Sequence, residues 1–449
     1  MRKKGIILAM SMITMIFLSI PGVNALTVIA KISLVTAATP YAVGVNTETN
    51  KIYVADYFLN RVYVIDGYSN TVVATIPVGR QPCAVGVNPL TNEIYVANAD
   101  DAFSLGYDTV SVINGTTNTV VATIPVGEDP CAIGVNSLTN RIYVAHHSSS
   151  SPVWVINGST HSAIGSINAG MVNDGIGVNP LTNRIYVSSL WDDKVRVCDG
   201  ETGALLATID VGNDPSGVCV NPFTNRIYVA NYLAESVSVI DGATNTVIST
   251  IPVEGYVDTI SVDPSINRIY AASYYDGLFV IDGATNSVIS SFNEMGSPNG
   301  ITVNPNTHRI YVACNQAAVY VLGEPPVASF TESAETATVG TPINFDASAS
   351  TDPDGRIVSY EWDFGDGTMA SGITTAHAYS MPGKYTVTLK VTDNDGLTSI
   401  ATATKTITLE QVIPEIPLGT ILASASMIIA FVAYFALPKL RKRPVLIKF

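Results

Sequence analysis

The segment NPFTNRIYVANYLAESVSVIDGATNTVISTIPV runs from Asn221 to Val253 and directly continues GVCVN, Gly217 to Asn221. Together they hold four short apolar runs: GVCVN, IYVAN from Ile227, VSVID from Val237 and TVISTIPV from Thr246. These runs are β-branched and aromatic, and NPFTN and DGATN between them supply the Pro, Gly, Asn and Asp that tight antiparallel turns need. They read as four strands of one meander.

Relatives of this unit fill most of the chain. Its Ile-Tyr-Val-Ala core recurs with tyrosines at Tyr53, Tyr95, Tyr143, Tyr186, Tyr228, Tyr270 and Tyr311, spaced by 42, 48, 43, 42, 42 and 41 residues. A four-stranded unit cannot bury both faces alone, so units of this period stack radially into a β-propeller. The seventh repeat, Gly300 to Gly323, supplies three strands and stops. The absent outer strand has the pattern of TVVATIPVG, Thr119 to Gly127, and its match, LTVIAKISLV from Leu26 to Val35, precedes the first repeat. The N-terminal segment is therefore expected to complete the last blade. The fold class that follows is all-β, with seven four-stranded blades over residues 26–323.

Composition agrees with a large β-rich core: 449 residues, 47% apolar and 13% charged. The first 25 residues have a basic start at Arg2, Lys3 and Lys4, an apolar run from Ile6 to Ile20, and a small-residue site at Val23-Asn24-Ala25. This is the pattern of a secretory signal peptide. From Leu418 to Leu437 no charge occurs, and Lys439, Arg441, Lys442, Arg443 and Lys448 follow. That run is long enough to span a bilayer, giving a transmembrane helix over 418–438 and a cytoplasmic basic tail over 439–449. The formal net charge is −14, and without these two basic ends 15 basic residues face 37 acidic ones. Such a surface argues against nucleic acid as a partner and suits a solvated surface in salt or divalent cations.

The five cysteines, at 83, 131, 198, 219 and 314, show no metal or haem spacing and read mostly as small buried apolar residues. Cys83 in QPCAVGVN and Cys131 in DPCAIGVN occupy equivalent places in neighbouring blades. A bridge between them would require Cα atoms within about 6 Å.

The IYVAN, IYVAD and VIDGATNTV units resemble the YVTN family of β-propellers over roughly Leu26 to Gly323. That resemblance implies an archaeal-type surface-layer or cell-surface protein. After Glu324-Pro325-Pro326, read as a linker, INFDASASTDPDGRIVSYEWDFGDG (ending at Gly367) and YTVTLKVTDNDG (Tyr385 to Gly396) alternate strands with Asp-Gly turns, as a small β-sandwich does. They resemble the PKD domain, expected over 324–410. The resemblance implies an immunoglobulin-like extracellular spacer or adhesive module, with Trp362 and Phe364 in or near its core and no catalytic residues. Residues 411–417 form a second linker, in which Ile413-Pro414-Glu415-Ile416-Pro417 resembles an archaeal sorting signal with Ile416 in place of Phe.

In a propeller, the loops entering each inner strand and those joining the middle strands meet around one channel mouth, where binding belongs. Aligning the repeats puts Tyr41, Cys83, Cys131, Asp174, Ser216, Asp258 and Asn299 in one ring. The middle-strand loops add His146, His147, Trp191, Asp192, Asp193, Tyr232, Tyr274, Tyr275 and Asp276, and the longest insertion carries Asp100, Asp101, Phe103 and Tyr107. Exposed Tyr and Trp there suit sugars or a protein partner. The acids differ in type and place between blades, and no nucleophile motif or metal spacing occurs, so no catalytic residue is assigned. A lactonase- or lyase-like surface enzyme, or a ligand receptor, is the alternative. Asp352, Asp354 and Asp363 are candidates for structural Ca2+, against their ordinary use in turns, and no other cofactor is expected. Asn114-Gly115-Thr116 and Asn157-Gly158-Ser159 match the N-glycosylation pattern in equivalent hairpin turns. The expectation is a membrane-anchored surface protein that contacts other surface proteins or glycans, or copies of itself.

Overall fold

The computed structural model describes residues 25–100, 108–148, 151–170 and 172–409. The expected signal segment, the 411–417 linker, the 418–438 span, the basic tail, and Asp101, Phe103 and Tyr107 lie outside the described residues. Among the described residues, no helix is long and apolar enough to cross a membrane.

Seven four-stranded antiparallel sheets fill residues 27–323. The quoted repeat forms one of them, with strands Pro215–Asn221, Arg226–Asn231, Ser236–Asp241 and Thr246–Pro252 in simple meander order. The inner strands touch one another in cyclic order, and that of the first blade, Pro40–Asn46, meets that of the last, Pro298–Val303. The ring is therefore closed in the manner of a propeller. Its last sheet takes its outer strand from the N-terminus: Thr27–Ser33 pairs antiparallel with Ala318–Gly323, from Thr27↔Gly323 to Ser33↔Ala318.

All seven repeat tyrosines are wholly buried, between blades that pack face to face. The inner strands approach so closely that a Cβ on Gly86 would lie 2.3 Å from Ile133 Cγ2, so glycine is required there. The NPxTN turns carry a second contact. In each, the first Asn ends the inner strand and its Oδ1 accepts turn amides, as Asn221 does from Phe223 and Thr224. Its Nδ2 donates to the last Asn of the following blade's turn: Asn46 to Asn92, Asn88 to Asn140, Asn136 to Asn183 and Asn179 to Asn225, each at 2.8 Å, and Asn221 to Asn267 at 2.7 Å. Asn304 reaches Asn50 across the closing seam at 2.7 Å. The accepting Asn sits in the left-handed region, φ 50° to 54°, which Asn tolerates better than most residues. The Asn221→Ala variant should lose about 2–3 kcal/mol, because the half-buried Asn267 side-chain carbonyl and two turn amides lose their partner. A shift of the urea midpoint at unchanged slope would measure it.

One rung differs. Between blades six and seven the pair is Asp263 and His308, with Nδ1 2.6 Å from Oδ2. The hydrogen bond to Asp263 outweighs burial and raises His308 above the usual imidazole range. A raised folded-state value means that this rung stabilises fully below about pH 6.5 and weakens as pH rises through the raised value. The double variant Asp263→Asn/His308→Asn restores the amide rung. Its melting temperature should fall less than that of the parent between pH 6 and pH 9.

Residues 327–408 form a separate β-sandwich. A three-stranded sheet (Thr331–Glu332, Ile343–Asp346, Thr374–His377) packs on a five-stranded one whose long strands are Gly383–Asp393 and Thr398–Thr408. Phe345, Trp362, Phe364, Tyr379 and Leu389 make its core, and Trp362 Nε1 donates to Gly372 O at 2.9 Å. The Glu324-Pro325-Pro326 segment is not the free linker that its composition suggests. Glu324 is 2% exposed, and its N–H donates to Asp354 of the sandwich at 2.7 Å. Arg309 of the last blade pairs with Asp395 of the sandwich at 2.6 Å.

Candidate binding face at the channel mouth

The bulged entry to each inner strand places one side chain toward the axis, and a cavity of about 510 Å³ opens there. Tyr41, Cys83, Cys131, Asp174, Ser216, Asp258 and Asn299 all line it. Two residues deeper stands a second ring of Val43, Val85, Ile133, Ile176, Val218, Ile260 and Ile301, so a polar mouth sits over an apolar throat. The two-residue step is the period of a strand.

Most of the ring holds the blades together. Cys83 Sγ donates to Pro130 O at 2.7 Å and Cys131 Sγ to Asn173 O at 3.0 Å. Ser216 Oγ donates to Asp258 O at 2.8 Å and Asn299 Nδ2 to Pro40 O at 2.9 Å. Each bond runs to the next blade. The Cys83–Cys131 bridge is absent, since both cysteines are free and each thiol points to a different carbonyl. Burial, with Asp129 adding to it, pushes the Cys83 thiol up to about 12, which leaves it unreactive near neutrality.

The acids of the ring face the cavity. Asp174 Oδ1 pairs with His147 Nδ1 at 2.9 Å, and that hydrogen bond raises His147 despite partial burial. Asp258 touches the water of the cavity while protein encloses it otherwise. That desolvation first, and then the charge of Asp174, pushes it up to about 6. Tyr41 is raised by burial and by Asp258 and Asp174 as well, so these groups share one field.

Four tyrosines extend the face over blades five and six. Ring centroids run Tyr232–Tyr256 5.2 Å, Tyr256–Tyr275 6.5 Å and Tyr275–Tyr274 4.9 Å. Tyr274 Oη accepts from Asn315 Nδ2 of blade seven. On blade one, Tyr41 lies 5.3 Å from Tyr57. Other expected residues go elsewhere. His146 is wholly buried at the end of strand Arg141–His146, not in a loop. Trp191 is 66% exposed on a short 3-10 turn and does not line the cavity. Asp192 pairs with Arg196, Asp193 accepts Asp214 N–H, Asp276 accepts from Ser273, and Asp100 pairs with Arg80.

Asp129, Asp214 and Tyr256 were missed. All three stand two residues before the ring position, and Asp129 and Asp214 adopt positive φ, 55° and 61°. The alignment of VGEDPC with VGNDPS contains that column, so the signal was present in the repeat register.

The calcium candidates are not brought together. Asp352 and Asp354 precede strand Ile357–Asp363, and Asp363 ends it, a separation of about 20 Å at strand rise. Asp363 Oδ1 accepts Gly365 N–H in its own turn. Among the described residues, no group of three His, Cys, Asp or Glu could hold a metal. Asp352 and Asp354 instead join Glu324 at the junction, where burial and their mutual charge raise Asp354 well above the carboxylate range. Asn114 and Asn157 each accept two amides of their own turn through Oδ1, so both serve as turn residues.

Residues 323–409 match the PKD domain. The same region is 50% identical over 66 residues to a microbial collagenase of Vibrio alginolyticus, covering 15% of this chain and 8% of that protein. It is 52% identical over 54 residues to collagenase ColA of Clostridium perfringens, covering 12% and 5%. The chain thus shares only a small fraction of the length of these relatives. The larger unit shares its fold with a chain of Kuenenia stuttgartiensis hydrazine synthase: TM-score 0.57 and 16% identity, over 64% of this chain and 95% of that one.

Proposed function

We propose that this chain is an exported, membrane-anchored surface protein of the archaeal YVTN type, which displays its propeller on the PKD module and acts by non-catalytic contact. The observation that carries this reading is the use of the mouth ring. Its thiols, hydroxyl and amide are engaged with the neighbouring blade, so they hold the ring closed, while the exposed tyrosines and acids around them form a face for a partner. A PKD module, also present in microbial collagenases, supports an extracellular setting. The partners in this reading are surface proteins, glycans or further copies of the chain in a surface layer.

Two measurements test it. A membrane-impermeant lysine label applied to intact host cells should mark propeller lysines such as Lys194; labelling only after lysis would defeat the display reading. Negative-stain imaging of the purified chain with and without calcium should show arrays or chains if the layer role holds, and isolated particles under both conditions would remove that role.

A further inference from the structure

We propose that the channel mouth is a receptor for a cationic side chain, a lysine or arginine presented by a polypeptide partner, held between the Tyr256–Tyr275–Tyr274 rings and the carboxylates of the mouth. This deepens the contact reading above and rests on it. The rings do not form a flat platform. Tyr275 stands at 78° to both Tyr256 and Tyr274 in edge-to-face contacts, so the rings point their faces in different directions. A sugar ring stacks best on a flat aromatic platform, whereas a positive group is drawn to any exposed ring face. Tyr275 is 71% exposed, Tyr256 38% and Tyr274 36%, so these faces are available to solvent.

The charge around the rings is mainly negative; the one basic side chain lining the cavity, His147, is paired with Asp174. Asp214 and Asp258 lie close enough to Tyr232 to oppose its ionisation, and Asp276 adjoins Tyr275 in sequence. Asp258 also lines the cavity with Asp129 and Asp174, and no lysine or arginine is among the lining residues. Both the quadrupoles and the carboxylates therefore favour a cation; the rings themselves do not line the cavity of about 510 Å³, and Tyr256 stands two residues before Asp258, which does. A lysine or arginine can lay its methylene stem on the tyrosine faces and keep its charged head at the acids.

The test uses the purified full-length chain and two probes in isothermal titration calorimetry: tetralysine, and the same peptide with every Nζ acetylated. Tetralysine should bind saturably, and more weakly as salt rises, while the acetylated peptide should not bind. Because the whole ectodomain is acidic, the deciding variants remove rings and no charge. Tyr275→Ala and Tyr256→Ala should each weaken tetralysine about threefold to tenfold. Tyr275→Phe should keep full affinity, and all three should retain the parental melting temperature. Equal binding to the alanine variants, equal binding of the acetylated peptide, or no binding of tetralysine would each overturn the proposal. So would saturable binding of a neutral oligosaccharide that competes with the peptide for these rings. Peptide binding that persists without surface labelling of cells would sink the display reading and leave this site standing.

Discussion

A chain lacking Leu26 to Val35 should fail to form the propeller. In the intact protein, strand Thr27–Ser33 covers the edge of Ala318–Gly323, all six of whose residues are buried. Leu26 and Ile32 are 4% and 6% exposed and belong to the two cores that flank the seam. Two buried aliphatic side chains contribute about 2–4 kcal/mol each, and the ladder bonds about 1 kcal/mol each. Their sum reaches the usual net stability of a domain, about 5–15 kcal/mol. The deletion should abolish the cooperative β-sheet melting transition of the propeller in circular dichroism, and Ile32→Asp should lower it steeply. A synthetic peptide of Leu26 to Val35 added in trans should restore the transition, because it supplies the same register. A deleted chain that melts like the parent would show that the ring closes without this strand.

The closure was legible in the sequence because it depends on counting. A repeat that ends one strand short, and a matching strand at the other end of the chain, leave one arrangement that satisfies every edge. The mouth ring was legible for the same reason, since equal positions in equal blades must share a radius. What could not be read was the partner of each side chain across blades. The NPxTN turn announces a turn and its left-handed Asn, but nothing local says that Asn46 reaches Asn92, forty-six residues away. Nor does anything local mark Asp263 and His308 as partners in one rung. Cys83 and Cys131 matched in register and suggested a bridge, yet each thiol meets a backbone carbonyl of the following blade. Equivalent positions in neighbouring blades point the same way around the ring, so they follow one another instead of facing. Glu324 was misread for a related reason. Proline-rich composition signals a linker, whereas burial of Glu324 depends on the sandwich folding back against the last blade.

That junction should break when Arg309 is replaced by Met. The guanidinium makes three contacts that join three parts of the molecule: Nη1 donates to Gly67 O of blade one at 2.6 Å, and Nε and Nη2 donate to Asp395 Oδ1 of the sandwich at 3.1 and 2.6 Å. Both side chains are nearly buried, 14% and 10% exposed, so water cannot replace the lost partner of Asp395. Removing one member of a buried pair costs about 3–5 kcal/mol, while removing both can be nearly neutral. Arg309→Met should therefore loosen the sandwich from the propeller, seen as a larger radius of gyration in small-angle scattering and a second, earlier melting transition. Arg309→Met/Asp395→Asn should recover much of the loss, since no charge stays unpaired. The carboxylates beside this pair add a pH dependence of definite sign. Asp354 and Glu324 are raised chiefly by burial, so their folded forms favour the proton, and their contribution falls as pH rises above the ordinary carboxylate range. The loosened state of the Arg309→Met variant should thus be more populated at pH 8 than at pH 5, and Asp354→Asn should reduce that difference. Scattering profiles of the variant that match the parent at both pH values would show that the Glu324–Asp354 contact alone fixes the two units.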